Sequence, residues 1–236
     1  MATNLSKLVF WSSIGRKVVL ALSGLAIFMF VFIHFLGNVT LFLNRPDLFN
    51  QYAYMLHRTG VLLYVAEIML VSIFLVHVVY AVAVTLENWR ARGTAYYQLR
   101  NAGKPSRKNI ASKTMIYTGI LISIFIGFHL VTFKYGPAEK EGYVYQVREE
   151  GKVVQEMRDV HRLVKETFKD KWFTILYVTA MLIMGFHLWH AFGSAFESLG
   201  FEHPFYTPVL FGLGILLTLM LAGGFIAIPI WIYFVY

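Results

Sequence analysis

The chain has 236 residues, 58% of them hydrophobic and 14% charged, and a mean hydropathy of +0.59, which excludes an ordinary soluble globular core. It contains no cysteine, which excludes a disulfide scaffold, a zinc-thiolate site, an iron–sulfur cluster of its own and a covalently attached c-type haem. The formal net charge of +8 needs no nucleic acid to explain it, because most of the excess lies in the head and one loop, where anionic lipid headgroups or an acidic partner subunit would face it.

In chain order, residues Met1 to Gly15 carry Lys7 and Trp11 without a signal-peptide pattern, so the first apolar segment is expected to stay as a spanning helix. Apolar segments follow at Val18 to Phe42, Val61 to Leu86, Met115 to Phe133, Trp172 to Phe196 and Val209 to Phe234. About 20 apolar residues span a bilayer as a helix, and the segments are continuously apolar rather than alternating. They predict an all-α integral membrane protein, a bundle of five transmembrane helices in a single membrane domain over residues 1–236. The 134–171 connection is expected to be partly folded: Tyr143 to Val147 and Lys152 to Gln155 read as a hairpin with Gly151 near its turn. Asp159 then caps a short amphipathic helix with Val160, Leu163, Val164 and Phe168 at helical spacing, expected on the outer surface. The fifth segment carries no ionisable residue. Its glycines (Gly212, Gly214, Gly223, Gly224) predict close helix packing, with Pro229 as a late kink.

Basic residues in short flanks orient the bundle. Lys7, Arg16 and Lys17 in the head and Arg90, Arg92, Arg100, Lys104, Arg107, Lys108 and Lys113 in the second connection lie on one side, against Arg45 and Arg58 in the first connection on the other. The 134–171 connection has nine basic and eight acidic residues, and its length makes it a poor signal. The expected topology has a cytoplasmic N-terminus and an outside C-terminus.

Five of the eight histidines fall inside these segments: His34, His77, His129, and His187 with His190. An ionisable ring at that depth is costly without a partner and marks a functional site by default. His34, His77, His129 and His187 each precede their segment's end by a few residues, roughly 6 to 14 Å at 1.5 Å per residue. Successive helices alternate in direction, so His34 and His129 fall in the outer half and His77 and His187 in the inner half. Two imidazoles facing each other across a bundle form a bis-histidine site, the usual way to hold a b-type haem. Two depths argue against one tetrahedral metal site. Gly37, Gly127, Gly185, Ser23 and Gly24 are small residues that fit either close approach of a porphyrin or helix packing. His190 shares a face with His187, which we prefer as the ligand. His190 then contacts a haem propionate, a quinone or a neighbouring helix. His57, His161 and His203 lie in connections, where His57 beside Arg58 could reach an outer propionate.

The segments Phe32-Ile-His-Phe-Leu-Gly-Asn38, Leu75-Val-His-Val-Val-Tyr-Ala81, Gly127-Phe-His-Leu130 and Met184-Gly-Phe-His-Leu-Trp-His-Ala-Phe-Gly-Ser-Ala-Phe-Glu-Ser-Leu-Gly200 resemble the cytochrome b membrane-anchor subunit of succinate dehydrogenases and fumarate reductases, the succinate:quinone oxidoreductases. The likeness is to the single-chain, five-helix, two-haem kind and covers nearly the whole chain. It implies two haem b groups, with His34 and His129 on the outer one and His77 and His187 on the inner one. It also implies a flavoprotein subunit holding FAD and an iron–sulfur subunit on the cytoplasmic side, within a bacterial cytoplasmic (inner) membrane, in a respiratory chain tied to the tricarboxylic acid cycle. Electrons would pass to a membrane quinone, most often menaquinone for this kind; succinate chemistry would belong to the partners. Ser12, Arg16 and Trp11 resemble the quinone-binding serine and arginine of related anchors. Glu67, the acid set deepest in a segment, could shuttle quinone protons near the outer face. Arg16, Lys17, Arg90 and Arg92 fit either headgroup anchoring or pairing with inner-haem propionates. Two other classes compete: a haem b subunit of a hydrogenase or formate dehydrogenase type, whose anchors commonly draw two ligands from one helix, and a histidine-lined transporter, which would bind no porphyrin.

Overall fold

The computed structural model describes residues 11–92, 110–150 and 152–236, with the backbone alone for residues 92 and 110–113. Gly151 and the basic residues Lys7, Arg100, Lys104, Arg107 and Lys108 lie outside the described residues. In chain order the elements are α1 (Ser13–Asn38), a 3₁₀ turn (Val39–Leu43), α2 (Pro46–Arg58), α3 (Val61–Arg92), α4 (Ile110–His129), a π-helical turn (Leu130–Lys134), a short 3₁₀ turn (Glu139–Glu141), β1 (Val144–Glu149), β2 (Lys152–Arg158), α5 (Val160–Lys169), α6 (Lys171–Ser198) and α7 (Tyr206–Val235). Five helical stretches are long and apolar enough to cross a membrane: Ser13–Leu43, Val61–Ala91, Thr114–Lys134, Lys171–Ser198 and Tyr206–Val235. The helices outrun the apolar segments most at Arg92, at Ser13 and at Ile110. There the backbone stays helical through polar residues, which hydropathy does not register.

The first connection is not an open loop. Its α2 begins on Pro46 with Asp47 in the first turn and ends on His57 and Arg58, charges that complement the helix dipole. The hairpin forms as expected, antiparallel from Val144↔Arg158 to Glu149↔Lys152, with an irregularity between Val147 and Arg148. Asp159 caps α5 by accepting from Arg162 N at 3.0 Å. The helix buries His161, Leu163, Val164 and Phe168, whereas the apolar spacing predicts Val160 in place of His161.

The chain divides into two compact units. The first comprises Met1–Met29, Met69–Ile120 and Phe186–Leu217. Within it α6 and α7 pack ring against glycine in both directions. A Cβ on Gly214 would stand 2.7 Å from the Phe192 ring, and one on Gly193 would overlap Phe211. The second unit comprises Phe30–Ile68, Leu121–Gly185 and Thr218–Tyr236. Its core joins Leu41, Phe49, Val164, Phe168, Tyr177, Ile228 and Ile232. At its centre Tyr177 meets Phe125 and Phe168 at 5.0 Å and Phe133 at 5.7 Å, edge-to-face contacts worth about 0.5–1.5 kcal/mol each beyond area burial. Asn50, fully buried, ties α2 to α5 in this unit. Its amide donates to Asp159 Oδ1 (2.8 Å) and its carbonyl accepts from His161 N (2.9 Å).

The glycines divide by environment. Gly224 packs against Phe35 and Gly214 against Phe192, as close packing predicts, but a Cβ on Gly212 or Gly223 would meet nothing within 4 Å. The space over Gly37 is filled by the Tyr52 ring, 2.8 Å from where a Cβ would stand, and that over Gly185 by Ala222 at 3.0 Å. At both positions helix-side packing accounts for the glycine, so neither offers room for a porphyrin.

Candidate metal centres

In the first unit, α1 and α3 bring Ser23 to His77, with Ser23 Oγ 3.2 Å from Nδ1. The hydroxyl also has carbonyls of its own helix in reach, Val19 O at 2.8 Å and Leu20 O at 3.1 Å. Toward the imidazole Ser23 accepts where the ring proton is on Nδ1 and donates in the other tautomer, and the Leu20 backbone also hydrogen-bonds the His77 ring; with the proton on Nδ1, Nε2 carries the free lone pair. α4 and α6 repeat the device. Thr118 Oγ1 lies 3.0 Å from His187 Nδ1, with Met115 O (3.0 Å) and Thr114 O (3.2 Å) as acceptors on its own helix. His187 is within electrostatic reach of both His77 and His190. Gly24 and Gly119 underlie these rings: a Cβ on Gly24 would stand 3.2 Å from His77 Cε1, and one on Gly119 3.5 Å from His187 Cε1. His190, one turn beyond His187, has no hydrogen-bond partner among the described residues.

The second unit brings His34 and His129 together with ring centres 5.9 Å apart and planes at 89°. The two rings are near enough that one metal atom, such as a haem iron, would be held by both if each turned a nitrogen toward it. Tyr177 Oη lies 3.5 Å from His129 Nδ1, and Phe125, Phe133 and Phe225 wall the pair with apolar surface. His34 is arranged differently, because Asn38 Nδ2 donates to the His34 carbonyl at 2.8 Å and stands 3.4 Å from Nε2. Ligation through that nitrogen requires Asn38 to release it. Beside Gly127, two residues before His129, a Cβ would meet nothing within 4 Å. No three His, Asp or Glu side chains converge among the described residues.

The remaining candidates fall into place as follows. Arg16 pairs with Glu87 at 3.2 Å, and its Nε is buried without a partner. With Arg90 and Ala83 it lines an open cleft of about 640 Å³. Ser12 caps α1 by accepting from Gly15 N at 3.0 Å, and Trp11 stacks on Tyr80 with ring centres 5.6 Å apart. Lys17 and His57 are exposed, and the Arg92 side chain lies outside the described residues. Glu67 is ion-paired with Lys134, which follows His129 on the π-helical turn. Sequence reasoning missed Lys134, Asn38, Thr118 and Tyr177, since none carries a motif; a hydroxyl or amide in an apolar segment was the available signal, and it names no partner. No family model, no curated protein and no solved structure matches this chain.

Proposed function

We propose that the chain is a dihaem membrane cytochrome b. More particularly, we read it as the membrane-anchor subunit of a succinate:quinone oxidoreductase, seated by its basic flank on an iron–sulfur subunit that carries a flavoprotein, in a bacterial cytoplasmic membrane. The observation that supports this most is chemical: His77 and His187 in one unit each have Nδ1 within hydrogen-bond distance of a hydroxyl, which leaves Nε2 for a ligand when Nδ1 carries the proton, and His34 and His129 in the other have ring centres 5.9 Å apart. Metal-ligating histidines are characteristically held in this way by their second nitrogen.

Haem, when bound, supplies one-electron exchange between the partner subunit and a quinone such as menaquinone. The chain's own residues do the rest. Ser23 and Thr118 fix the tautomer and orientation of His77 and His187, and Tyr177 does so for His129. Phe125, Phe133 and Phe225 keep water from the second pair. Arg16, beside an open cleft, offers an unpaired Nε–H to an anionic or carbonyl group. Glu67, ion-paired with Lys134, is the acid we assign to relaying quinone protons. Purification with attached subunits tests the reading: a reduced-minus-oxidised b-type spectrum with two haems per chain and succinate-to-quinone activity are expected. Purified complex without a b-type spectrum overturns it.

A further inference from the structure

The π-helical turn that follows His129 ends in carbonyls with no partner in their own helix, as every helix end does. One side chain gathers them. Arg158, the last residue of β2, donates from Nη2 to Phe133 O (3.0 Å) and Gly136 O (3.0 Å), from Nε to Pro137 O (2.9 Å) and from Nη1 to Lys134 O (3.4 Å). Four of the five guanidinium protons are thus used on one five-residue stretch of backbone. The charge also sits at a helix C-terminus, where a cation is favoured. Burial pulls its pKa below the usual arginine value, with Glu139 and Glu141 opposing that effect.

The clamped stretch is connected to the imidazole by short steps. Phe133, whose carbonyl Arg158 holds, packs its ring on His129 with centres 5.4 Å apart. The same ring packs on Tyr177, which faces His129 Nδ1. Tyr135 N closes the π turn on Leu130 O at 2.9 Å. Opening the clamp therefore loosens the turn that fixes where α4 ends and how Phe133 and Tyr177 bear on the ring. Asp159, the residue after Arg158, is anchored to buried Asn50.

We propose that Arg158 is a positioning residue for His129, and that the 134–171 connection serves as a folded brace for this one histidine pair. The proposal rests on the haem reading above. A guanidinium is suited to the role and an ammonium is not, because only the planar fork reaches several carbonyls at once.

The test uses the purified complex with wild-type chain, R158K and R158M. Two measurements are made: hydrogen exchange of residues 130–137, which needs no haem, and potentiometric titration with low-spin resonance spectra of both haems. In R158M, exchange of residues 133–136 should quicken at least tenfold, since several hydrogen bonds are lost together. The potential and spectrum of the haem on His34 and His129 should shift, while those of the haem on His77 and His187 stay. R158K should fall between, and it carries the test if R158M does not accumulate. Quickened exchange with both haem signatures unchanged overturns the positioning role and leaves Arg158 as a loop staple. Unchanged exchange overturns the clamp itself. A wild-type complex without haem removes the reading of the site but leaves the exchange measurement to decide whether Arg158 sets the end of α4.

Discussion

Replacing Thr118 by valine isolates the bond that holds His187, because valine keeps the shape and removes only the oxygen. The hydroxyl lies 3.0 Å from His187 Nδ1, and carbonyls of its own helix stand at 3.0 and 3.2 Å. With the ring proton on Nδ1, as ligation through Nε2 requires, the variant loses one interhelical hydrogen bond and strands that N–H in apolar surroundings. Such bonds measure about 0.6–1.7 kcal/mol in membrane proteins. An acceptor at Nδ1 raises electron density at Nε2 and favours ferric over ferrous iron, so its loss raises the midpoint potential. If the whole bond is felt as a difference between oxidation states, about 59 mV per 1.4 kcal/mol converts it to a shift of roughly 25–70 mV. Ser23→Ala acts on the same haem through His77 with the same sign. Potentiometric titration of the purified complex reads both, with His187→Ala identifying which haem is affected by its absence. An unmoved potential for that haem in Thr118→Val, or an equal shift in both haems, refutes the assignment of hydroxyl to ligand.

Three further outcomes are expected. Gly24→Leu drives a side chain into the His77 ring and should remove one of two haems, whereas Gly212→Leu, where a Cβ meets nothing within 4 Å, should keep both in the pyridine haemochrome assay. Asn50→Ala removes the amide bond to Asp159 and strands the His161 N–H, a cost of about 2–4 kcal/mol, which should expose the 134–171 connection to limited proteolysis; unchanged cleavage rates would count against the bracing role of Asn50. His161 faces Phe49, Asp159 and Lys165, and burial, then Lys165, lower its pKa from 6.5 against the opposing pull of Asp159. The folded state then binds fewer protons than the unfolded one just below that value, so the packing of α5 is fully present above about pH 6.5 and weakens as pH falls toward the lowered folded value. Hydrogen exchange of α5, corrected for intrinsic rates, should quicken over that window in wild type and not in His161→Phe.

The five helices were legible because continuous apolar runs have one physical outcome in lipid, and the hairpin and Asp159 cap because turn and cap chemistry is local. Helix α2 was not, since a search for apolar runs of membrane length passes over a 13-residue amphipathic helix that buries Phe49 and Asn50. The histidine pairing followed from helix direction alone. What escaped was everything that depends on side-chain rotation: Tyr52 filling the space over Gly37, Ala222 over Gly185, Lys134 turning to Glu67, and Arg158 gathering carbonyls. A glycine in an apolar run says that something comes close, and only the packed structure says whether that is a ring, a methyl group or empty space.

The partners of the imidazoles are chosen consistently with the medium. A carboxylate would orient a histidine more strongly than a hydroxyl, but an unpaired charge in an apolar interior is costly. Ser23 and Thr118 avoid that cost, because each is a neutral hydroxyl with carbonyls of its own helix in reach and can accept from a ring protonated at Nδ1 with a remaining lone pair. The carboxylates of α3 are matched to cations, Glu67 to Lys134 and Glu87 to Arg16. His34 alone has an amide donor at a ring nitrogen instead of a hydroxyl acceptor. In the haem reading proposed above, that makes His34 the adjustable member of the pair whose other histidine Arg158 would brace.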